Sequence, residues 1–158
     1  MAAKRLLTDD IGFLLSRASG AVARSASKAL APLGLRVRSY SVLMLAGEGT
    51  AGVTQRRLAA TMGLDPSQIV ALVDDLETRG LVTRTPDPAD RRNKLITATD
   101  EGHRVREDAQ QRVDQAHDDY FDRVPHESLD ELRHALRRIA FPDDLPVGHE
   151  SEPSTAPE

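Results

Sequence analysis

The stretch that decides the fold is residues 54–102, TQRRLAATMGLDPSQIVALVDDLETRGLVTRTPDPADRRNKLITATDEG. Two short helical patterns meet at Gly63, and two β-prone segments then flank a turn-rich loop that ends in Arg91 and Arg92. A helix, a tight turn and a second helix form the unit that lays its second helix in a DNA major groove. A hairpin with arginines at its tip can reach an adjacent minor groove. The order of these elements predicts a winged helix-turn-helix.

The second helix of this unit begins and ends at recognisable signals. Asp65 is a favourable N-cap, Pro66 suits the first helical position, and Gln68 lies where a capping box needs it. Gly80 follows at the place where a left-handed residue commonly ends a helix. The positions that share one buried face by their spacing are Ile69, Leu72, Val73 and Leu76. The opposite face is therefore expected to be exposed.

The first helix and the hairpin are predicted from similar signals. Thr54 can cap the first helix, in which Leu58 and Met62 are expected to be buried. Residues 81–85 and 94–98 have the β-branched content of strands, and the intervening PDPAD strongly favours a turn. Such elements also occur in ordinary protein cores, where Arg91 and Arg92 would be a solvated tip, but their order here favours DNA binding.

The exposed residues of this unit predict two kinds of DNA contact. A glutamine amide can pair with adenine through two hydrogen bonds, so Ser67 and Gln68 are expected to read bases, unless Gln68 serves only as a cap. Arg57 and Arg84 are expected to contact phosphates, which strengthens binding to every sequence. The full set of predicted DNA-binding residues is Thr54, Gln55, Arg57, Pro66, Ser67, Gln68, Ala71, Arg84, Asp90, Arg91, Arg92 and Lys94.

Amphipathic helices are predicted on both sides of the unit. One apolar stripe follows a long first helix through Ile11, Leu14, Leu15, Ala18, Val22, Ala29 and Leu33. A second helix is predicted over residues 39–46. Another apolar series runs through Val105, Ala109, Val113, Ala116, Tyr120 and Val124 until Pro125 interrupts it, and a last one through Leu129, Leu132, Leu136 and Ile139. These helices can pack on one another in a monomer or pair two copies of the chain.

Composition and charge agree with a DNA-binding protein of the cytoplasm. No apolar run approaches the roughly 18 residues of a membrane span, and the amino terminus lacks the apolar core of a secretory signal. The net charge is −4, but residues 1–99 carry 14 basic and 9 acidic side chains, whereas residues 100–158 carry 7 and 16. Local positive potential, rather than net charge, attracts phosphate. The absence of cysteine excludes disulfides and thiol redox switches.

The sequence contains no motif typical of an enzyme and no close spacing of metal ligands. The sequence has no P-loop, no glycine-rich dinucleotide turn and no nucleophile elbow, so no catalytic residue is predicted. No two histidines lie at metal-ligand spacing, and no metal ligand is assigned, although a site assembled from distant segments stays open. The histidines are His103, His117, His126, His134 and His149.

Two motifs resemble the MarR family of bacterial transcription regulators. The run LETRGLVTR, residues 76–84, is similar to that family's LE-x-x-G-L-V-x-R, and DRRNKLITATDEG, residues 90–102, is similar to its D-x-R and L-T-x-x-G. The run from Leu33 to Leu43 resembles the connection between the family's first two helices, and the resemblance covers about residues 9–140. Two departures are that Ala98 replaces the usual leucine and that Ala71 stands where many members have a polar or basic residue.

The resemblance implies a mechanism. In this family the terminal helices of two chains interlock in a dimer, which favours a dimer here. The two winged helix-turn-helix units, or heads, of such a dimer can read half-sites about one DNA turn apart. It further implies that Arg92 enters the minor groove and that Asp90 orients it. Members often bind small aromatic acids such as salicylate between the helical base and the head, and some sense zinc. The residues predicted to line such a pocket are Phe13, Arg17, Arg38, Tyr40 and Met44. Phe13, Tyr40 and Met44 could instead be core residues, and Arg17 an ion-pair partner.

The sequence therefore predicts a mainly α fold, a winged helix-turn-helix with a helical dimerisation region built from both chain ends. The expected divisions are residues 1–36 for the first dimerisation helix, 37–100 for the DNA-binding domain, 101–140 for the last helices and 141–158 for a disordered acidic tail. The expected function is a cytoplasmic homodimeric regulator, more consistent with a repressor, that binds double-stranded DNA, needs no cofactor and responds to a small aromatic acid. A zinc-dependent regulator and a protein-binding winged helix without DNA affinity are the alternatives.

Overall fold

A computed structural model describes residues 6–142 of the chain. By its contacts the chain separates into two units, Met1–Tyr120 and Phe121–Glu158. The helices are α1 Ile11–Leu30, α2 Val37–Ala46, α3 Gln55–Met62, α4 Pro66–Thr78, α5 Asp100–Phe121 and α6 His126–Ala140, and the strands are β1 Val53–Thr54, β2 Val82–Pro86 and β3 Lys94–Ala98. None of the helices in the described part is long and apolar enough to cross a membrane. The predicted mainly α winged-helix architecture is confirmed.

A small antiparallel sheet forms the base of the wing. Its order is β1-β3-β2, so β3 is the central strand. The hairpin of β2 and β3 pairs Thr83 with Thr97 and Arg84 with Ile96. The short strand β1 was not predicted; it pairs Val53 with Ile96. Two residues are too few for a periodic signal, and β1 exists only because β3 lies beside it.

The core of the first unit joins the head to the flanking helices. The fully buried larger side chains are Leu30, Val42, Leu43, Leu58, Ile69, Val73, Leu76, Val82 and Ile96, from α1, α2, α3, α4, β2 and β3. On α4 the buried residues belong to the predicted face, and Leu72 is partly buried beside it. From α5, Ala109 and Val113 join the same core. Burying one large aliphatic side chain stabilises the fold by about 1.5–3 kcal/mol, so this face fixes which side of α4 remains exposed.

The predicted helix signals of the head are confirmed. The Thr54 hydroxyl accepts a hydrogen bond from the Arg57 amide at 3.1 Å. The Asp65 amide donates to Oε1 of Gln68 at 3.4 Å, completing the capping box ahead of α4. Gly80 has a φ of 70°, the left-handed conformation that glycine adopts without strain. These are interactions between near neighbours in the chain.

Several element boundaries differ from the prediction. The first helix ends at Leu30 and continues as a 3₁₀ turn, Ala31–Leu33, which Gly34 closes at a φ of 62°. Helix α2 begins at Val37, two residues earlier than predicted. Strand β2 covers 82–86 rather than 81–85, because the Leu81 amide donates to the carbonyl of Leu76 and so finishes α4. The disordered tail was predicted over residues 141–158, and its part from residue 143 onward lies outside the described residues.

The second unit, within its described residues, consists of α6 and the segment before it. Pro125 is the N-cap of α6, and the preceding helix α5 ends at Phe121. The predicted apolar series lies along α6, where Leu132, Leu136 and Ile139 are exposed. An exposed stripe of this size on an amphipathic helix is a surface that needs a partner.

Candidate nucleic-acid interface and effector cavity

The amino-terminal half of α4 presents a polar and small-residue face. Ser67, Gln68 and Ala71 are all exposed, as predicted for base-reading residues. Val70 is 41% exposed on the same half of the helix, although the sequence reading did not single it out. An exposed apolar group at this position can contact the methyl group of thymine. The face thus offers one amide, one hydroxyl and two apolar groups to a DNA groove.

Helix α3 carries two of the predicted DNA-binding residues, Gln55 and Arg57. Gln55 is half-buried at the first position of the helix, and the Arg57 side chain is exposed. No hydrogen bond or ion pair of the Arg57 guanidinium is found in residues 6–142, so it is available to a phosphate. Thr54 holds the amino end of α3 through its cap.

The tip of the wing is organised by Asp90. Its Oδ1 accepts hydrogen bonds from the amide and Nε of Arg92, both at 3.1 Å, and its Oδ2 accepts one from Nη2 at 3.2 Å. The hydrogen bonds from the Arg92 side chain, and to a lesser degree the one from its backbone amide, hold the pKa of the Asp90 carboxyl below its ordinary value. The Arg92 side chain is still 91% exposed. Arg91 and Lys94 are exposed nearby. The predicted pairing of Asp90 with Arg92 is present, and the paired guanidinium remains accessible.

Arg84 is in a different environment from that expected of a phosphate contact. Its Nη2 is 2.5 Å from Oδ1 of Asp74, its Nη1 bonds Oε2 of Glu77, and its amide donates to Oε1 of Glu77 at 3.1 Å. Only 19% of the side chain is exposed. Burial acts to lower the pKa of Arg84, but the hydrogen bonds to Asp74 and Glu77 raise it, and the net direction is upward. Arg84 therefore ties β2 to α4 within the chain.

A groove of about 750 Å³ runs between the α1–α2 turn and α4. Its lining residues are Gly34, Arg36, Arg38, Ser39, Gln68, Ala71, Leu72, Asp75 and Arg79. Three arginines thus lie next to the exposed face of α4. Arg36 and Arg79 were not among the predicted binding residues. Arg79 directly follows α4, whereas Arg36 precedes the helix-turn-helix in the chain and only folding brings it to the groove.

A second cavity of about 490 Å³ lies between α2 and α3. Its lining residues are Arg38, Tyr40, Ser41, Met44, Leu45, Glu48, Thr61, Met62 and Leu64. The structure thus brings together Arg38, Tyr40 and Met44, three of the five residues predicted to bind an effector. Phe13 and Arg17 do not line this cavity, because they are exposed in the amino-terminal half of α1, whereas α1 is buried only at Ala26 and Leu30. Within one chain, the predicted five-residue pocket is not formed.

Tyr40 lines the cavity and is influenced by two charged residues of α5. Burial raises the pKa of its phenol, the charge of Asp114 raises it further, and the charge of Arg106 lowers it. Arg106 packs on Gly47, where a Cβ would lie 2.6 Å from its Cδ. Its buried Nε has no hydrogen-bond partner in the described part of the chain. The charges of Asp114 and Arg106 on α5 thus act in opposite directions on the tyrosine that lines the cavity.

A resident metal finds no support in the described range. No group of three or more histidine, aspartate, glutamate or cysteine side chains between residues 6 and 142 is arranged to hold a metal ion. The predicted zinc-dependent alternative thus gains no observation from this part of the chain.

Comparisons with known proteins agree with this geometry. The MarR family model matches residues 33–93, from the α1–α2 turn to the wing. A MarR-family transcriptional regulator from Rhodococcus sp. RHA1 is 62% identical, with a TM-score of 0.84 over 88% of this chain and 98% of that chain. CouR from Rhodococcus jostii RHA1, solved with bound p-coumaroyl-CoA, is 61% identical, with a TM-score of 0.84 over 90% of this chain and 100% of that chain.

A further structure shows a relative on DNA. A transcriptional repressor named CouR, solved on a 23-mer DNA duplex, is 30% identical, with a TM-score of 0.77 over 87% of this chain and 99% of that chain. Two relatives are more than 60% identical to this chain over nearly all of their length. The motifs around α4 and the wing, and the observed fold, agree with them. The chain belongs to the MarR family of winged helix-turn-helix transcription regulators.

Proposed function

We propose that the protein is a cytoplasmic homodimeric repressor that binds a pseudo-palindromic operator and leaves it when an aromatic effector binds. The observation that carries DNA binding is the exposed α4 face beside a wing whose Arg92 is held by Asp90 and remains 91% exposed. A recognition helix in the major groove and an arginine in the minor groove are the two contacts such a head makes. The relative solved on a DNA duplex, described as a repressor, supports the same function.

The exposed apolar residues of the terminal helices support the dimer. Ile11 is 64% exposed and Leu14 48% exposed on α1, and α6 carries its own exposed stripe. A monomer rarely leaves such stripes in water, and a second copy of the chain would bury them. Two-fold pairing would also give the two heads that a pseudo-palindromic site requires.

We infer that the effector is an aromatic acid presented as its coenzyme A thioester. The relative that is 61% identical was solved with p-coumaroyl-CoA, and the α2–α3 cavity has aromatic and thioether side chains in Tyr40 and Met44 that suit a phenyl ring. Arg38 lines both this cavity and the groove beside α4, where Arg36 adds a second positive charge. The phosphates of a coenzyme A would find these arginines close to the ring site. A free acid such as salicylate has the ring but lacks the phosphates.

The test is a binding assay with the full-length protein. Fluorescence anisotropy on fragments upstream of the protein's own gene would measure operator affinity, and light scattering would measure the oligomeric state. We expect a dimer that binds with at least about 10³-fold preference over random DNA. We expect release by p-coumaroyl-CoA and weaker or no release by p-coumarate, salicylate or coenzyme A alone.

The outcomes separate the parts of the proposal. No preference for any genomic fragment would overturn DNA regulation and favour a protein-binding winged helix. Specific binding that is unaffected by every thioester and acid would overturn only the effector. Loss of binding in a chelator, restored by zinc, would support the metal-dependent alternative. A monomer at operator-binding concentrations would contradict the dimer.

A further inference from the structure

The residues immediately after α4 are hydrogen-bonded to two distant segments, the turn that follows α1 and the residue that precedes α5. Arg79, Gly80 and Leu81 follow the last residue of α4, and each takes part in a hydrogen bond with a distant segment. One set of bonds reaches back to the turn after α1, and the other reaches forward to the start of α5. The buried residues of α4 fix which of its sides is exposed, and these hydrogen bonds hold the carboxyl end of α4 relative to the helices around it.

The bonds toward α1 are made by a single side chain. Arg79 Nη1 donates to the carbonyl of Gly34 at 3.1 Å, and its Nη2 donates to the carbonyl of Leu33 at 2.9 Å. Those carbonyls end the 3₁₀ turn that continues α1, and they are free to accept because the helix stops there. Asp75, one turn earlier on α4, lies 3.9 Å from the same guanidinium. A planar fork that meets two carbonyls from one turn restricts both position and rotation.

The bonds toward α5 are made through Thr99. Its hydroxyl donates to the carbonyl of Gly80 at 2.7 Å and accepts from the amide of Gly102 at 2.9 Å, and its amide donates to the carbonyl of Leu81 at 3.1 Å. Gly102 is packed against Leu81 so closely that a Cβ would lie 1.9 Å from the Leu81 carbonyl oxygen. The first turn of α5 is therefore fixed to the end of α4.

We propose that Arg79 is a positioning residue for DNA binding, which, together with Thr99, holds α4 in a fixed orientation relative to α1 and α5. This inference rests on the proposed DNA-binding function. Its consequence is that the winged helix-turn-helix cannot rotate freely relative to α1 and α5. A movement of α1 or α5 therefore also changes the direction of the exposed face of α4. Arg79 also lines the groove beside α4, and a direct phosphate contact is the competing role that the experiment must separate.

The experiment compares Arg79→Met with Arg57→Met in the full chain. Operator affinity is measured by anisotropy at several salt concentrations, and backbone hydrogen exchange is measured without DNA. For a positioning residue, Arg79→Met weakens operator binding about 3- to 30-fold, and the slope of log affinity against log salt is unchanged. Amide exchange becomes faster in residues 33–35 and 79–81. Arg57→Met, the matched loss of one predicted phosphate contact in each subunit of the dimer, reduces the slope by about 1.8 and leaves exchange in both segments unchanged.

Arg79→Lys guards against a variant that does not fold. Lysine keeps the charge but lacks the fork, so a positioning role predicts that it loses affinity, whereas a phosphate contact predicts that it retains it. A reduced salt slope for Arg79→Met, retained affinity for Arg79→Lys, or unchanged exchange at 33–35 and 79–81 would each overturn the proposal. If the parent protein binds no operator, the proposed function has failed, and the exchange measurement still decides whether Arg79 fixes α4 to α1.

Discussion

Removing the guanidinium of Arg84 tests whether this residue stabilises the fold or contacts DNA. Arg84→Met keeps most of the length and the apolar stem but loses the bonds to Asp74 and Glu77, while the backbone bond from residue 84 to Glu77 remains. Exposed ion pairs contribute about 0.2–1 kcal/mol each, and charge-assisted bonds in less exposed settings up to about 3 kcal/mol. The carboxylates here are 58% and 38% exposed and the arginine 19%, which places the pair between these limits. We expect the free energy of unfolding to fall by about 1–2 kcal/mol.

The assay is urea denaturation of the parent, Arg84→Met and Arg91→Met, with the operator affinity of each measured across salt. Arg91→Met removes a charge from the same wing but breaks no bond found in the described structure, so its stability should change by less than about 0.5 kcal/mol. A double-mutant cycle of Arg84→Met with Glu77→Gln should give a coupling of about 0.5–1.5 kcal/mol. Unchanged stability together with a salt slope reduced by about 1.8, one phosphate contact in each subunit of the dimer, would show that Arg84 binds phosphate and that its ion pairs with α4 do not stabilise the fold.

Five further predictions test the DNA interface, the packing of α5 on the end of α4, and the effector cavity. Arg92→Ala should cost about 1–3 kcal/mol of specific binding with little change in folding stability, and equal operator affinity at matched salt would contradict it. Because Arg92 lowers the pKa of Asp90 in the folded protein, the stabilisation from this bond is present above the unfolded pKa and is lost as pH falls through the folded value; NMR titration of Asp90 in the parent and in Arg92→Ala should show a higher pKa in the variant. Gln68→Ala should relax the preference at particular base positions in a selection from random DNA, and an unchanged motif would leave Gln68 only its capping role. Gly102→Ala should destabilise the fold by more than about 2 kcal/mol, because the Cβ meets a carbonyl oxygen at 1.9 Å, whereas Gly20→Ala, where the nearest atom is the flexible end of Arg24, should not destabilise it. Met44→Ala should weaken effector binding in calorimetry and Arg17→Ala should not; a loss of affinity in Arg17→Ala would mean that α1 of a second subunit completes the cavity.

The parts of the molecule that the sequence predicts correctly are those set by neighbours in the chain. The cap of α3 at Thr54, the capping box of α4 and the left-handed Gly80 involve residues no more than a few positions apart. Their backbone chemistry is the same whatever lies around them, and the periodicity of α4 names its buried face for the same reason. The bond from Asp90 to Arg92 is also local, spanning two residues, and the sequence motif predicts it.

What the tertiary structure alone decides is the partner of each long polar side chain. Arg84 and Arg57 are both arginines of the head, yet one is bound by two carboxylates of α4 and the other is exposed. Arg79 bonds the carbonyl of Leu33 across 46 positions, and Phe13 is exposed on α1 and does not line the cavity that Tyr40 lines. A flexible charged side chain has several partners of similar energy within reach, so the position of the distant backbone, fixed by the buried core, selects among them. Local chemistry therefore determined that this chain folds as a winged helix-turn-helix, and packing determined which of its arginines remain free to bind DNA.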